Sequence, residues 1–231
     1  MLFRSAAMAR RALVAGAVIR GQTKVVSWHS DHSQVSVRTE SETFTADRLV
    51  ICGGAWAGSL LDNLGVPLRV TRQAIAWVWP QTPQLFADDR CPGWAIDPNP
   101  AGEYQGIYYG FPLSKNPPGV KLGWHAPGQE SHPDVVDRRL HRSDVDWLAG
   151  FSQRYMPPLG SDLLSAATCL YTYSQDGHFI VDRHPGYQNV FFAAGFSGHG
   201  FKFAPIIGLA LADMAIDNRT TAPIEFLQIN R

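Results

Sequence analysis

Polar and apolar positions alternate with a period of two through residues 34–39 and 42–45, which predicts two half-buried strands around a polar turn. The continuous apolar run Arg48-Leu49-Val50-Ile51-Cys52 predicts a buried strand that ends at Gly53-Gly54, with a short helix expected over 55–61. Upstream, residues 6–15 carry a helical pattern, while 17–20 and 23–28 read as extended. The middle of the chain predicts strands over 66–70, 73–79, 107–111 and 119–125, separated by prolines and aromatics. These imply a mainly antiparallel sheet with long connections. A helix is expected over 143–155, with Ser143 as its cap, Asp144 and Asp146 in its first turn, and Pro157-Pro158 beyond its end. Strands over 166–173, 179–181 and 190–194 then lead to a helix over 205–216, with Pro205 in its first turn.

Composition narrows the function classes. The 231 residues suffice for one large domain or two modest ones, and 45 % hydrophobic against 17 % charged residues predicts a globular core. Twenty Lys and Arg balance 20 Asp and Glu, which argues against a broad surface for polyanions. Cys52, Cys91 and Cys169 are widely separated and form no CxxC pair, so neither a disulfide scaffold nor a structural zinc site is expected. Residues 1–22 mix arginines and small apolar residues in the manner of a targeting peptide, but Arg10 and Arg11 interrupt them and residues 12–19 are too short to span a bilayer. The expectation is a cytoplasmic protein without a membrane or nucleic-acid partner; export is the alternative.

Two glycine-bearing strand exits carry candidate chemistry. Gly53-Gly54 between a strand and a helix resembles a nucleotide-binding turn, although such a turn is more often a plain strand exit. The loop Gly195-Phe196-Ser197-Gly198-His199-Gly200 lies between a strand and a helix, where exposed backbone N–H groups favour negative charge. On composition alone, a ligand loop and a bare connection fit it equally well.

The strings Cys169-Leu170-Tyr171-Thr172, Asp176-Gly177-His178-Phe179-Ile180 and Gly195 through Phe203 resemble the carboxyl-terminal end of the monomeric sarcosine oxidase and N-methyltryptophan oxidase family. Residues 46–56, Thr71-Arg72-Gln73, Tyr109-Gly110-Phe111-Pro112 and residues 120–125 resemble the same family in the same order. The resemblance covers nearly the whole chain, but the family's amino-terminal glycine fingerprint for the flavin pyrophosphate has no counterpart. It therefore implies an α+β and α/β architecture, the carboxyl-terminal part of a two-domain FAD-dependent oxidoreductase. The FAD-binding domain would be incomplete and the substrate-domain sheet mainly antiparallel. The implied division is residues 1–64 and 163–231 on the FAD side and 65–162 as the substrate-binding domain.

By the same resemblance, Cys169 matches the cysteine joined covalently to FAD, and Lys121 the lysine at the flavin face where oxygen is reduced. His125 matches a histidine beside the substrate, and Lys202 a lysine holding the substrate carboxylate; Tyr109 and Tyr171 match pocket positions. Gly53, Gly54, Ala55 and Trp56, together with Gly198, His199, Gly200 and Phe201, match positions near the cofactor. Read without the family, Cys169 is a packing residue, Lys121 a solvated edge-strand lysine, and His125 a satisfied structural histidine. Residues 115–118 and Gly177 depart from the family pattern and put the substrate in doubt. Trp77, Trp79 and Trp124 make a roomy aromatic pocket conceivable, although aromatic strands are more often core.

The implied function is FAD-dependent oxidation of the C–N bond of a small secondary amine or N-methyl amino acid, with oxygen as acceptor and hydrogen peroxide as product. Two other readings stand beside it. The chain could be an inactive fragment, or a subunit dependent on a separate amino-terminal FAD-binding segment or chain. Alternatively, it could be a non-catalytic binding module for carboxylated amines, which would have no use for Cys169.

Overall fold

In the computed structural model, which describes residues 2–103 and 105–231, the chain divides into two compact units. The first comprises residues 1–49 with 183–190. It contains helix α1 (Leu2–Val14) and the antiparallel strands β1 (Val25–Ser30), β2 (Val35–Thr39) and β3 (Thr43–Ala46), in the order β1-β2-β3. Asp31 makes the β1–β2 turn, its carboxylate accepting from the Ser33 and Gln34 N–H groups at 2.9 and 2.7 Å. The extended segment expected over 17–20 does not form a strand. Val18 and Ile19 are exposed there, so no apolar burial holds the segment against a sheet.

The second unit, residues 50–182 with 191–231, contains the larger sheet. After β4 (Leu49–Ile51), a single turn of 3-10 helix (Gly54–Trp56) leads into the short α2 (Ala57–Leu60). The sheet itself is built from β5 (Arg69–Trp79), β6 (Trp94–Ile96), β7 (Ile107–Lys115), β8 (Pro118–His125), β9 (Gln129–Glu130) and β10 (Asp162–Tyr173). Their order is β10-β5-β8-β7-β6, with β9 also on β5, and every pairing is antiparallel. The strands expected over 66–70 and 73–79 are one strand from Arg69 onward, because β10 pairs with it without a break on the β5 side. β6 and β9, three and two residues long, are too short to show a periodicity.

Antiparallel partners share a face, so the register sorts the side chains. Ala76 and Val78 of β5 face Leu122 and Val120 of β8, and this set packs against Leu148 and Phe151 of α3 (Trp147–Tyr155), with Leu159. The Tyr108 and Trp124 rings meet at a tilt with centroids 4.2 Å apart and Tyr108 lies 4.7 Å from Phe151, which puts Trp124 on the core side and removes it from any pocket on the opposite face.

α3 starts later than expected. Ser143 lies inside a 3-10 turn (Arg142–Asp144) closed by a His141–Asp144 capping box, and so is not the helix cap. Asp144 serves a different partner: its carboxylate accepts a bidentate fork from Arg72 of β5, one arm at 2.9 Å, and Arg72 also donates to the Asp137 and Arg139 carbonyls at 2.6 Å each.

A second sheet, of order β11-β12-β4, contains β11 (Ile180–Arg183) and β12 (Val190–Ala194). Helix α4 (Ala204–Asp217) buries Ile207, Ala210 and Leu211, one face at i, i+3 and i+4 spacing. Ile207 and Leu211 pack with Phe179, Val181, Phe191 and Ala193. Pro205 sits in its first turn, as expected, and Asn218 ends it in the left-handed region at φ 58°. Among the described residues, no helix is long and apolar enough to cross a membrane.

Hydrogen bonding from the Arg72 guanidinium holds the Asp144 carboxyl below its ordinary range. The stabilisation is therefore complete above the ordinary carboxylate pKa and is lost as pH falls through the lower folded-state value. Replacing Asp144 with Asn leaves the nearly buried guanidinium without its counter-charge and should cost about 3 kcal/mol in urea unfolding at neutral pH. The difference from the parent should shrink on acidification; a constant difference would show that the charge contributes nothing.

Candidate functional site

The face of the large sheet opposite α3 collects the candidate chemistry. Cys169 pairs with Gln73 and Tyr171 with Thr71 across β10 and β5; Lys121 pairs with Trp77 across β8 and β5; and Tyr109 pairs with Gly123, and Ile107 with His125, across β7 and β8. Period-two alternation along each strand then places Tyr109, Lys121, His125, Cys169 and Tyr171 on this one face. Glycine at 123 makes room, since a Cβ there would stand 2.8 Å from the Tyr109 hydroxyl.

Burial and mutual charge set the electrostatics. The Cys169 thiol is half-buried, which pushes its pKa up, while the nearby Lys121 ammonium pulls it down. Burial lowers the Lys121 pKa in turn. Its ammonium lies 5.9 Å from the Trp77 ring centroid and 5.6 Å from that of Phe111, within range of a cation–π attraction that favours the charged form. Burial raises the pKa of both phenols, Tyr109 and Tyr171, which stand close enough to influence each other's titration. Both are therefore neutral hydroxyls. His125 lies with its ring 5.3 Å from Tyr171 and 6.0 Å from His199, and its pKa is lowered first by burial and then by His199 and Lys202.

Two loops border this face, and Thr172 of β10 ties both. Its hydroxyl donates to the Gly54 carbonyl at 3.2 Å, and its carbonyl accepts from the Ser197 N–H at 2.8 Å. The loop after β12 turns through left-handed residues Gly195, Ser197 and Gly198, at φ 65°, 47° and 81°. Ser197, without a glycine's freedom, is held there by its hydroxyl bond to the Gly195 carbonyl at 3.1 Å. A Cβ at Gly198 would overlap the Tyr171 ring, so only glycine permits this close approach. His199 faces the Ser197 carbonyl through Nδ1 at 3.1 Å.

The remaining candidates lie farther out. The Lys202 ammonium rests 5.2 Å from the Phe203 ring centroid beside a recess of ≈ 260 Å³ lined by His178, Phe179, His199, Phe203, Phe226 and Leu227. Phe201 is exposed, Gly200 packs against Phe196, and Ala55 sits in the turn after Gly54. The Trp56 indole donates to Asp134 at 2.7 Å. Thr172, Gln73 and Phe111 lie in the family-like strings but carry no role there.

This half-exposed polar face sets a thiol near an ammonium, between two glycine turns anchored to one strand end. The pattern described as "DAO: FAD dependent oxidoreductase" matches residues 5–214, and the chain belongs to that family. It is 38 % identical over 221 residues to monomeric sarcosine oxidase of Bacillus sp. (strain B-0618), covering 94 % of this chain and 55 % of that protein. It is 30 % identical over 211 residues to N-methyl-L-tryptophan oxidase of Escherichia coli (strain K12 / DH10B), covering 90 % and 54 %. Among solved structures it resembles the open form of NikD, an unusual amino acid oxidase essential for nikkomycin biosynthesis, with TM-score 0.79 and 26 % identity over 96 % of this chain and 58 % of that one. The chain thus spans about half the length of the relatives it matches.

The Lys121–Cys169 coupling can be read directly. Lys121→Met should raise the Cys169 pKa further and slow its alkylation by iodoacetamide at pH 8 roughly three- to tenfold, measured by peptide mass spectrometry against Cys52 as internal reference. An unchanged ratio would show that the two groups do not interact.

Proposed function

We propose that this chain carries the reacting half of an FAD-dependent amine oxidase acting on a small N-methyl amino acid. The observation that carries the reading is the Cys169–Lys121 pair on a polar sheet face, in a chain of the FAD-dependent oxidoreductase family. When bound, FAD supplies the two-electron acceptor and passes the electrons to oxygen, giving hydrogen peroxide. The residues present fit it. Gly54 is in a left-handed conformation with open space where a Cβ would be, the glycine loop around Gly198 leaves backbone uncovered, and the thiol of Cys169 stands on the same face.

In this reading Cys169 provides the sulfur of a covalent attachment, and Lys121 keeps a positive charge where oxygen is reduced. The lowered pKa leaves the His125 imidazole neutral near pH 7, able to take the proton of an incoming ammonium so that the amine is uncharged before oxidation. Lys202 pairs with the substrate carboxylate, and the neutral phenols of Tyr109 and Tyr171 orient the substrate by hydrogen bonding. Gly53, Gly54, Ala55 and Trp56, and Gly198 through Phe201, border the cofactor.

The same reading divides the chain into a substrate-binding domain over 65–162, which contains β5 through β9, and FAD-side segments over 1–64 and 163–231. A cytoplasmic location belongs to it as well, supported by the balanced charge and separated cysteines. A second reading, a subunit that needs a separate FAD-binding segment or chain, is favoured by the exposed apolar residues Ile206, Leu209 and Ile216 of α4.

Acid precipitation separates the two. After incubation with FAD, an autonomous oxidase should keep yellow flavin in the washed pellet, and Cys169→Ala should lose it. A colourless pellet from the parent chain would sink the autonomous reading and favour the partner-dependent one. If colour is retained, peroxide release with sarcosine, N-methyltryptophan and pipecolate ranks the substrates.

A further inference from the structure

The ladder between β5 and β8 stops before β5 does. Its last pair is Ile75 with Gly123, and β9 takes over the same edge only at Arg72 with Gln129. Across the gap, at residues 73 and 74, the chain leaves β8 at His125 and loops through Ala126 and Gly128 before returning. Buried carbonyls in such a gap need a donor from somewhere.

The Gln73 side chain supplies it. The residue is 6 % exposed, and its Nε2 donates to the Ala126 carbonyl at 2.8 Å and to the Thr71 hydroxyl oxygen at 3.0 Å. A backbone carbonyl only accepts, so the amide orientation is fixed with nitrogen toward Ala126. The loop closes tightly over it: a Cβ at Gly128 would stand 2.9 Å from that nitrogen. The carboxamide thus replaces the missing rung of the ladder, one residue beyond His125. Gln73 is also the cross-strand partner of Cys169, so the residue that holds the His125 end of β8 sits on the site face itself.

We propose that Gln73 is a positioning residue of this site, its carboxamide holding the Ala126 carbonyl and thereby fixing the His125 imidazole in front of Tyr171 and His199. The proposal rests on the reading of His125 as a substrate-side base only for its purpose; the positioning itself is a property of the chain. The groups that face His125 are Tyr171 from β10 and His199 and Lys202 from the glycine loop and the turn after it. Burial, His199 and Lys202 together hold its pKa down, so its titration reports whether the ring stays in place.

The test is the titration of His125 by two-dimensional imidazole NMR in the full chain, with the signal assigned by His125→Gln. In Gln73→Leu, and in Gln73→Met, which keeps the length and stays uncharged but cannot donate, the midpoint should rise toward the ordinary value of 6.5. Thr71→Val removes only the other acceptor and should leave the midpoint near that of the parent. If Gln73→Leu does not fold, Gln73→Met decides. An unmoved His125 midpoint in folded Gln73 variants overturns the proposal, and so does an equal movement in Thr71→Val, which would assign the effect to general loosening of β5. No flavin enters the measurement, so its failure and that of the oxidase reading are told apart by the acid-precipitation result.

Discussion

β10 and β5 pair without a break on the β5 side from Asp162 opposite Trp79 to Tyr173 opposite Arg69, and every feature of the site depends on that register. A slip of one residue would turn Cys169 and Tyr171 toward the α3 side and expose Leu170 and Thr168 in their place. The same strand end fixes the two bordering loops, because Thr172 alternates with Tyr171. While the tyrosine ring packs against Gly198, the threonine hydroxyl holds the Gly54 turn and its carbonyl holds Ser197. One strand therefore sets the position of the thiol, the phenol and both glycine turns, and the single bulge it carries lies at its far end, between Leu163 and Ser165.

Charge on this face is governed by burial more than by pairing. Desolvation is the largest influence on Lys121, His125, Cys169, Tyr109 and Tyr171, and it pushes each toward its neutral form. Lys121 is the exception in consequence, since the Trp77 and Phe111 rings and any thiolate character at Cys169 favour its charge. The result is a face of neutral hydrogen-bonding groups around a cation bracketed by two aromatic rings.

Much of this architecture was legible from periodicity alone. The runs over 34–39 and 42–45 alternate because one side of the β1–β2–β3 sheet is more buried than the other, and the apolar run over 190–194 is a strand buried at every position. Pro205 marked the start of α4 within one residue. Ser143 misled because capping preference is local, whereas the Asp144 beside it is recruited by Arg72, 72 residues away. Trp124 likewise allows a pocket reading beside the more frequent core one until the register fixes its face. The site residues were reached through resemblance; Gln73 and Thr172 escaped because each acts through a hydrogen bond to a backbone group distant in sequence, which leaves no spacing to detect.

The sheet can keep a polar, half-buried face because its stability is supplied on the other one. Ala76, Val78, Val120, Leu122, Phe151 and Leu159 are all at most 2 % exposed and form one packed cluster, so the helical side holds the strands in register regardless of what the site side contains. Grouping a thiol, an ammonium, an imidazole and two phenols in one place costs desolvation without a compensating core. That cost is tolerable only if the side chains concerned do not set the register themselves. Gln73 and Thr71 are the local exceptions, since both are buried on the site face and hydrogen-bonded to each other. They occur where the β5–β8 ladder is interrupted, a stretch in which backbone pairing leaves the position of the strand end to side chains.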